Sequence, residues 1–462
     1  MSALQKDRHC GKMIPMRQRI LDTIYRLTGY PPGFRSADYV RQETGLASVA
    51  PAADARVRRK AIESGQGCAI KAVVILVCLP LAGCAGRIEG VLTPVAASQS
   101  SASASTVTML VATSREPSGD PATLFSGERS PNLSLTDITV SIPAKRSPGT
   151  VQWPKKLPPD PDKEFAVIRA QSVSRGPEAR KWFSQHNSNG QVLVFVHGFN
   201  NRYEDSVFRF AQIVHDSHAE VVPVLFTWPS RANVLDYNYD KESTNFSRTA
   251  LEEGLRILAD DATVKEVTVM AHSMGTWLAM EALRQMAIRD GKVAAKIKNV
   301  ILASPDLDVD VFARQWWELG KAKPKITIFV SQDDRALKVS RQISGGVDRV
   351  GQINPAAEPY RTKLEAAGIT VVDLTKLKTD DWLNHGKFAE SPEIVQLVGS
   401  RLVTGQTLTD SDVSLGETIL GAVNTVGQAA ATTMTAPLVI AGGKTPPRQS
   451  DQTDAILAGE TK

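Results

Sequence analysis

The sequence predicts an α/β domain, a mostly parallel central sheet with helices on both faces, preceded by a small β-rich segment. Three observations predict it. From Gly190 onward, short continuous apolar runs alternate with segments whose apolar residues recur at helical spacing. Those runs lack a polar face, as strands covered on both sides do. The composition is that of an ordinary globular chain, 462 residues with 42% hydrophobic and 22% charged, long enough to bury a full core.

The elements follow in order. Residues 106–173 offer strand-like runs at 107–112, 138–142 and 165–168, separated by proline-rich stretches such as 154–161, and predict a β-rich preface packed on the main domain. Gln191–Val196 reads as a buried strand, and Val207, Phe210, Ala211 and Val214 at i, i+3, i+4 and i+7 mark the helix after it. Residues 221–228 form the next strand, and Leu251, Leu255 and Leu258 place a helix before the strand at 267–270. Leu278, Ala282 and Met286 continue as a helix. Ile297–Ala303, 326–330 and 369–372 supply three further strands, so the main domain is expected over 106–404. In such sheets, functional groups gather at the carboxyl ends of the strands.

The flanks read differently. Net charge is +5, but basic residues are scattered except for Arg56, Arg58, Arg59 and Lys60, so no stripe proposes nucleic acid as a partner. All four cysteines, Cys10, Cys68, Cys78 and Cys84, fall in the first 84 residues, which leaves the main domain without a disulfide, a zinc-cysteine site or a cysteine nucleophile. After Lys71 comes an apolar run ending in Leu81-Ala82-Gly83-Cys84, the length of a signal-peptide core and too short to span a bilayer. Residues 71–84 resemble the signal and lipobox of bacterial lipoproteins, which implies acylation of Cys84 and anchoring to a membrane on the periplasmic face of the cell envelope. Residues 1–70 fit poorly upstream of such a signal; they are expected to be a disordered extension, or to precede a true start near Val57. Residues 85–105, Ser/Ala-rich at their end, should be a flexible linker, and 405–462 a low-complexity tail in which 414–430 forms at most a weak amphipathic helix.

The chemistry centres on Ala271-His272-Ser273-Met274-Gly275, a strand, a sharp turn and a helix with a serine at the apex. A hydroxyl is a weak nucleophile and must be exposed beside a base. The pattern resembles the GxSxG elbow with alanine in place of the first glycine. An earlier strand, Gln191–Val196, runs into His197-Gly198-Phe199-Asn200, where glycine lets the backbone approach a substrate carbonyl. Phe199 and Met274 N–H groups are the expected oxyanion donors. His385 is the one histidine after the elbow, since the others are His9, His186, His197, His215, His218 and His272; it is the expected base, while His272 should point away and pack locally. The acid is expected at the end of the strand at 326–330, where Asp334 is favoured for its offset from Ser331 and the following Leu337. Asp333, Asp306 and Asp308 are the other candidates, and helix capping is the competing role for each. Ser273, Asp334 and His385 then stand in the order Ser, Asp, His. Trp228, Tyr237, Tyr239, Trp316 and Trp317 fall near strand ends, either lining a pocket or packing in core and lid.

The segments Val194-Phe195-Val196-His197-Gly198-Phe199-Asn200-Asn201, Phe226-Thr227-Trp228-Pro229-Ser230, Ala271-His272-Ser273-Met274-Gly275 and Ser331-Gln332-Asp333-Asp334-Arg335-Ala336-Leu337 look like a bacterial alpha/beta-hydrolase family of unknown function, often labelled esterase- or lipase-like. The resemblance spans residues 106–398. It implies the alpha/beta-hydrolase fold and serine hydrolase chemistry, in a family with no agreed substrate. The reaction expected here is hydrolysis of a small ester or lipid, with no metal and no cofactor. Thioester, amide or peptide cleavage uses the same constellation. A catalytically silent scaffold that binds in the envelope shares the fold as well.

Overall fold

The computed structural model describes residues 88–96, 104–399 and 424–426. Cys84, the signal-like segment and the predicted 414–430 helix, apart from 424–426, lie outside the described residues. Among the described residues there are ten strands: β1 (Ser105–Pro117), β2 (Phe125–Ile142), β3 (Ala166–Val173), β4 (Gln191–Val196), β5 (Val222–Thr227), β6 (Glu266–His272), β7 (Ile297–Ala303), β8 (Lys325–Val330), β9 (Thr370–Asp373) and β10 (Asn424–Val426). They form one sheet in the order β10-β9-β8-β7-β6-β4-β5-β1-β2-β3. The run from β9 to β1 is parallel throughout, while β2, β3 and β10 add antiparallel edges.

The continuous apolar runs have a simple cause. In β4, Val192, Val194 and Val196 enter one core, and Leu193 and Phe195 enter the other. A strand pleats with period two, so burial on both faces removes the polar alternation. On the first face lie α1 (Pro177–His186), α3 (Tyr237–Asp260), α4 (Gly275–Asp290), α5 (Val309–Glu318) and α7 (Tyr360–Ala366), through Trp182, Leu251, Leu278, Phe312 and Leu364. The second face is covered by α2 (Tyr203–Ser217), α8 (Lys387–Glu390) and α9 (Pro392–Leu397), through Phe208, Phe388 and Ile394. Helix α6 (Arg335–Ile343) follows β8 and stands at the carboxyl rim of the sheet.

The β-rich preface differs from its expectation in one respect. Its strands are not a layer packed on the domain; β1 pairs in parallel with β5, Leu110 opposite Val224, so the three strands extend the same sheet. They are also longer than their apolar runs, because β1 and β2 carry serines, threonines and arginines through exposed or polar-bonded positions.

Candidate active site

Two close approaches build the site. The turn after β4 lies against the turn after β6: a methyl group on Gly198 would sit 2.9 Å from Ser273 Cβ and 2.9 Å from His272 Nδ1. One on Gly275 would collide with the carbonyl oxygens of His197 and Val196. Glycine is required at both positions for the two turns to touch. Ala271, by contrast, is an ordinary strand residue of β6, opposite Val196 and Leu302, so an alanine there costs nothing in backbone geometry.

Ser273 sits between β6 and α4 with φ of 52°, a left-handed conformation that a residue with a Cβ adopts at a cost. Its neighbours impose that geometry. Its carbonyl accepts from Thr276 N–H at 3.1 Å, Asp306 N–H at 3.2 Å and the Thr276 hydroxyl, while its own N–H donates to Ala303 at 2.9 Å. Met274 follows as the residue before the first turn of α4, and Phe199 follows Gly198. Neither Met274 N–H nor Phe199 N–H donates to another group in the hydrogen bonds of the described residues.

His385 and Asp334 meet across the carboxyl rim, Nδ1 to Oδ2 at 2.7 Å. Asp334 is fully buried and caps α6, accepting Leu337 N–H on Oδ1 at 2.9 Å. The capping role and the histidine contact thus belong to one carboxylate. The loop holding His385 is shaped by Asp381, which accepts the N–H groups of Leu383, His385 and Gly386. Ser304 then donates its hydroxyl to the His385 carbonyl at 3.1 Å. The segment 304–306 therefore touches both His385 and Ser273. None of the hydrogen bonds of the described residues joins Ser273 Oγ directly to His385. Burial opposes protonation of His385, but the charge of Asp334, its hydrogen bond, and the charges of Asp306 and Asp381 outweigh it and hold the imidazole above its ordinary pKa.

The other carboxylates are engaged elsewhere. Asp306 accepts from Tyr237 at 3.0 Å and from Ser340, and lies 3.5 Å from Arg349. Asp308 caps α5, and Asp333 pairs with Lys387 at 2.8 Å. Among the described residues no cluster of histidine, cysteine and carboxylate groups is arranged for a metal ion. His272 does pack locally, but against the site rather than away from it: its ring lies 4.8 Å from His385 and 4.6 Å from Phe388.

Residues 176–401 match the family "Alpha/beta hydrolase of unknown function (DUF900)". That span runs from α1 through α9 and holds both turns, Asp334 and His385. Among solved structures, a candidate cell surface hydrolase from Lactobacillus plantarum WCFS1 aligns at 10% identity with a TM-score of 0.33, over 51% of this chain and 99% of that one. No curated protein matches the sequence.

In this alpha/beta hydrolase domain, the support behind the β4 turn leaves no pattern in the sequence. Arg115, at the end of β1 and 1% exposed, donates to Thr227 Oγ1 at 2.8 Å and to the carbonyls of Ser230 at 2.9 Å, Ser126 at 3.2 Å and Asn201 at 2.8 Å. Burial lowers its pKa to about 10, against nearby carboxylates Glu204 and Asp240, so it stays charged at neutral pH. Asp240, also buried, accepts from Ser230 Oγ, Arg231 N–H and Asn200 N–H. His197 is fixed between these groups. Its Nε2 accepts from Trp228 N–H at 3.0 Å, its Nδ1 meets the Gly198 carbonyl at 2.8 Å, and its ring stacks on Trp228. Burial first, and then Arg115, push its pKa down to about 3. His197 thus stays neutral and structural. A cluster of apolar positions or a glycine pattern would not reveal Arg115, which lies just beyond the predicted strand run at 107–112.

The aromatics divide. Trp228 is core and donates its indole N–H to the His197 carbonyl, whereas Tyr237 reaches the site through Asp306 and stands edge-on to Phe199 at 5.3 Å. Tyr239 lies under the guanidinium groups of Arg129 and Arg231. Trp316 lines an apolar cleft between α5 and α7 with Phe312, Val350 and Leu364, and Arg314 lies over Trp317.

Proposed function

We propose that the domain is a serine hydrolase, most simply of carboxylic esters, which acts through an acyl-Ser273 intermediate. The observation that carries this reading is the 2.7 Å contact of His385 with buried Asp334 on the rim that also presents the strained Ser273 turn. In the cycle proposed, His385 Nε2 takes the Ser273 proton as Oγ attacks the acyl carbon. Asp334 holds Nδ1–H and stabilises the imidazolium that forms. Phe199 and Met274 N–H groups receive the oxyanion, a role supported by their donating to no other group among the described residues. The imidazolium then protonates the leaving alcohol, and water deacylates Ser273 by the same route. A serine-histidine hydrogen bond that tightens only with substrate bound is common in such sites. The site as read calls on no metal or cofactor.

The order of basic flank, apolar run and Leu81-Ala82-Gly83-Cys84 supports a second proposal, acylation of Cys84 and attachment in the cell envelope. The catalytic reading is tested with a fluorophosphonate probe. The purified protein should label covalently, Ser273→Ala should not, and p-nitrophenyl esters should turn over faster than the matching anilides. A folded protein that resists the probe would favour the silent scaffold.

A further inference from the structure

Five of the nine large apolar side chains that stand well exposed among the described residues lie on the rim around the proposed site: Val234, Leu235, Val339, Ile343 and Trp382. Two contacts and one stretch of chain tie them to one surface. Trp382 precedes Leu383, whose carbonyl accepts the first helical N–H of α6, from Arg335. Val339 and Ile343 lie on α6, flanking Ser340, whose hydroxyl meets Tyr237 at 3.0 Å. Val234 and Leu235 form the short helical turn that leads into Tyr237, and Leu235 is 84% exposed. Asp334 begins α6 and His385 closes the Trp382 loop, so the surface borders the mouth of the site.

Charge points to one occupant. Helix α6 exposes Arg335, Lys338 and Arg341 and carries no acid, and Lys376 and Lys378 are exposed on the loop before Trp382. Asp348 partners Arg341, Lys387 holds Asp333, and Asp380 is the exposed acid of that loop. Aliphatic and tryptophan side chains interleaved with cations suit the boundary between acyl chains and anionic headgroups. An acidic protein partner would meet the cations but not reward 84% exposure of a leucine. We infer that this rim docks on an anionic lipid bilayer and turns the mouth of the site towards it. The orientation rests on the hydrolase reading above, and it narrows the proposed substrate to esters that partition into lipid.

The test reads orientation, so that insertion of residues 71–84 cannot imitate it. In full-length protein with Cys10, Cys68, Cys78 and Cys84 replaced by serine, an environment-sensitive fluorophore is attached at Leu235→Cys or, separately, at Ile257→Cys. Ile257 is also exposed but lies on α3, 20 residues beyond its first residue Tyr237, about 30 Å along the helix axis at a rise of about 1.5 Å per residue. With vesicles of equal parts phosphatidylglycerol and phosphatidylcholine, the label at 235 should brighten and shift to the blue while that at 257 does not. Arg335→Glu with Lys338→Glu should weaken the vesicle partition at least about tenfold. No shift at 235, an equal shift at 257, or an equal response to pure phosphatidylcholine would overturn the inference. Fluorophosphonate labelling of the same proteins in solution reports on the hydrolase reading separately, since none of these substitutions touches Ser273, Asp334 or His385.

Discussion

Asp334 holds His385 Nδ1 at 2.7 Å with one carboxylate oxygen and caps its own helix with the other. The two duties can be separated. Asparagine caps a helix about as well as aspartate but carries no charge and offers an N–H₂ group that disturbs the imidazole tautomer. Asp334→Asn should therefore lower kcat by about 10³- to 10⁴-fold with a small change in Tm. Asp334→Ala should lose the cap as well, about 1 kcal/mol of stability or more. Equal stability of the two variants, with activity retained in Asp334→Asn, would remove Asp334 from the mechanism.

The titration of His385 gives the pH dependence its sign. A general base must be neutral to accept a proton. Because Asp334, Asp306 and Asp381 together overcome burial and raise His385 above its ordinary 6.5, kcat/KM should fall as pH drops through a value above 6.5. His197 cannot produce that limb, since it is held at about 3. In Asp334→Asn the residual activity should show the limb displaced to lower pH. A parent limb at or below 6.5, or one unmoved by the substitution, contradicts the assignment of His385.

The strain at Ser273 predicts a trade of stability against activity. With φ at 52°, glycine relieves what serine bears, and left-handed strain of this kind costs on the order of 1 kcal/mol or more. Ser273→Gly should be about 1 kcal/mol more stable than Ser273→Ala, because alanine keeps the Cβ and loses only the hydroxyl. Thermal unfolding of the two variants checks this. Equal Tm values would show that the turn is not strained.

Where the sequence could be read, a physical signal ran along the chain. Double-faced burial turns strands into unbroken apolar runs, so β4 to β9 were visible, and a glycine beside Ser273 and one after His197 marked the two turns that touch. Candidate pieces of the site were visible because chain order left a single downstream histidine. What stayed hidden depends on contacts between distant segments. Thr113 and Arg115 of β1 fall outside the apolar run at 107–112, and their partners Thr227, Ser230 and Asn201 lie about a hundred residues away. The choice between Asp333 and Asp334 likewise rested on which carboxylate meets Lys387 and which meets His385.

Arg115 and the β4 turn give the last prediction. The guanidinium spans Thr227, Ser230 and Asn201, and through them fixes His197 and the backbone of the proposed oxyanion donor Phe199. Arg115→Met would leave the buried Ser230 carbonyl and the part-buried carbonyls of Ser126 and Asn201 short of a donor and remove a cation whose charge acts on Asp240 and Glu204, a loss of about 3 kcal/mol or more. Arg115→Lys would keep the charge, yet one ammonium cannot reach all the acceptors that a planar fork reaches. Both variants should lower kcat, with lysine the milder, because Phe199 N–H is no longer aimed. The acid limb of kcat/KM should stay where it is, since Arg115 does not contact His385. A general loosening of the fold would instead move that limb, so a shifted limb, or an Arg115→Met protein with parental Tm and kcat, argues against Arg115 as the group that positions the turn.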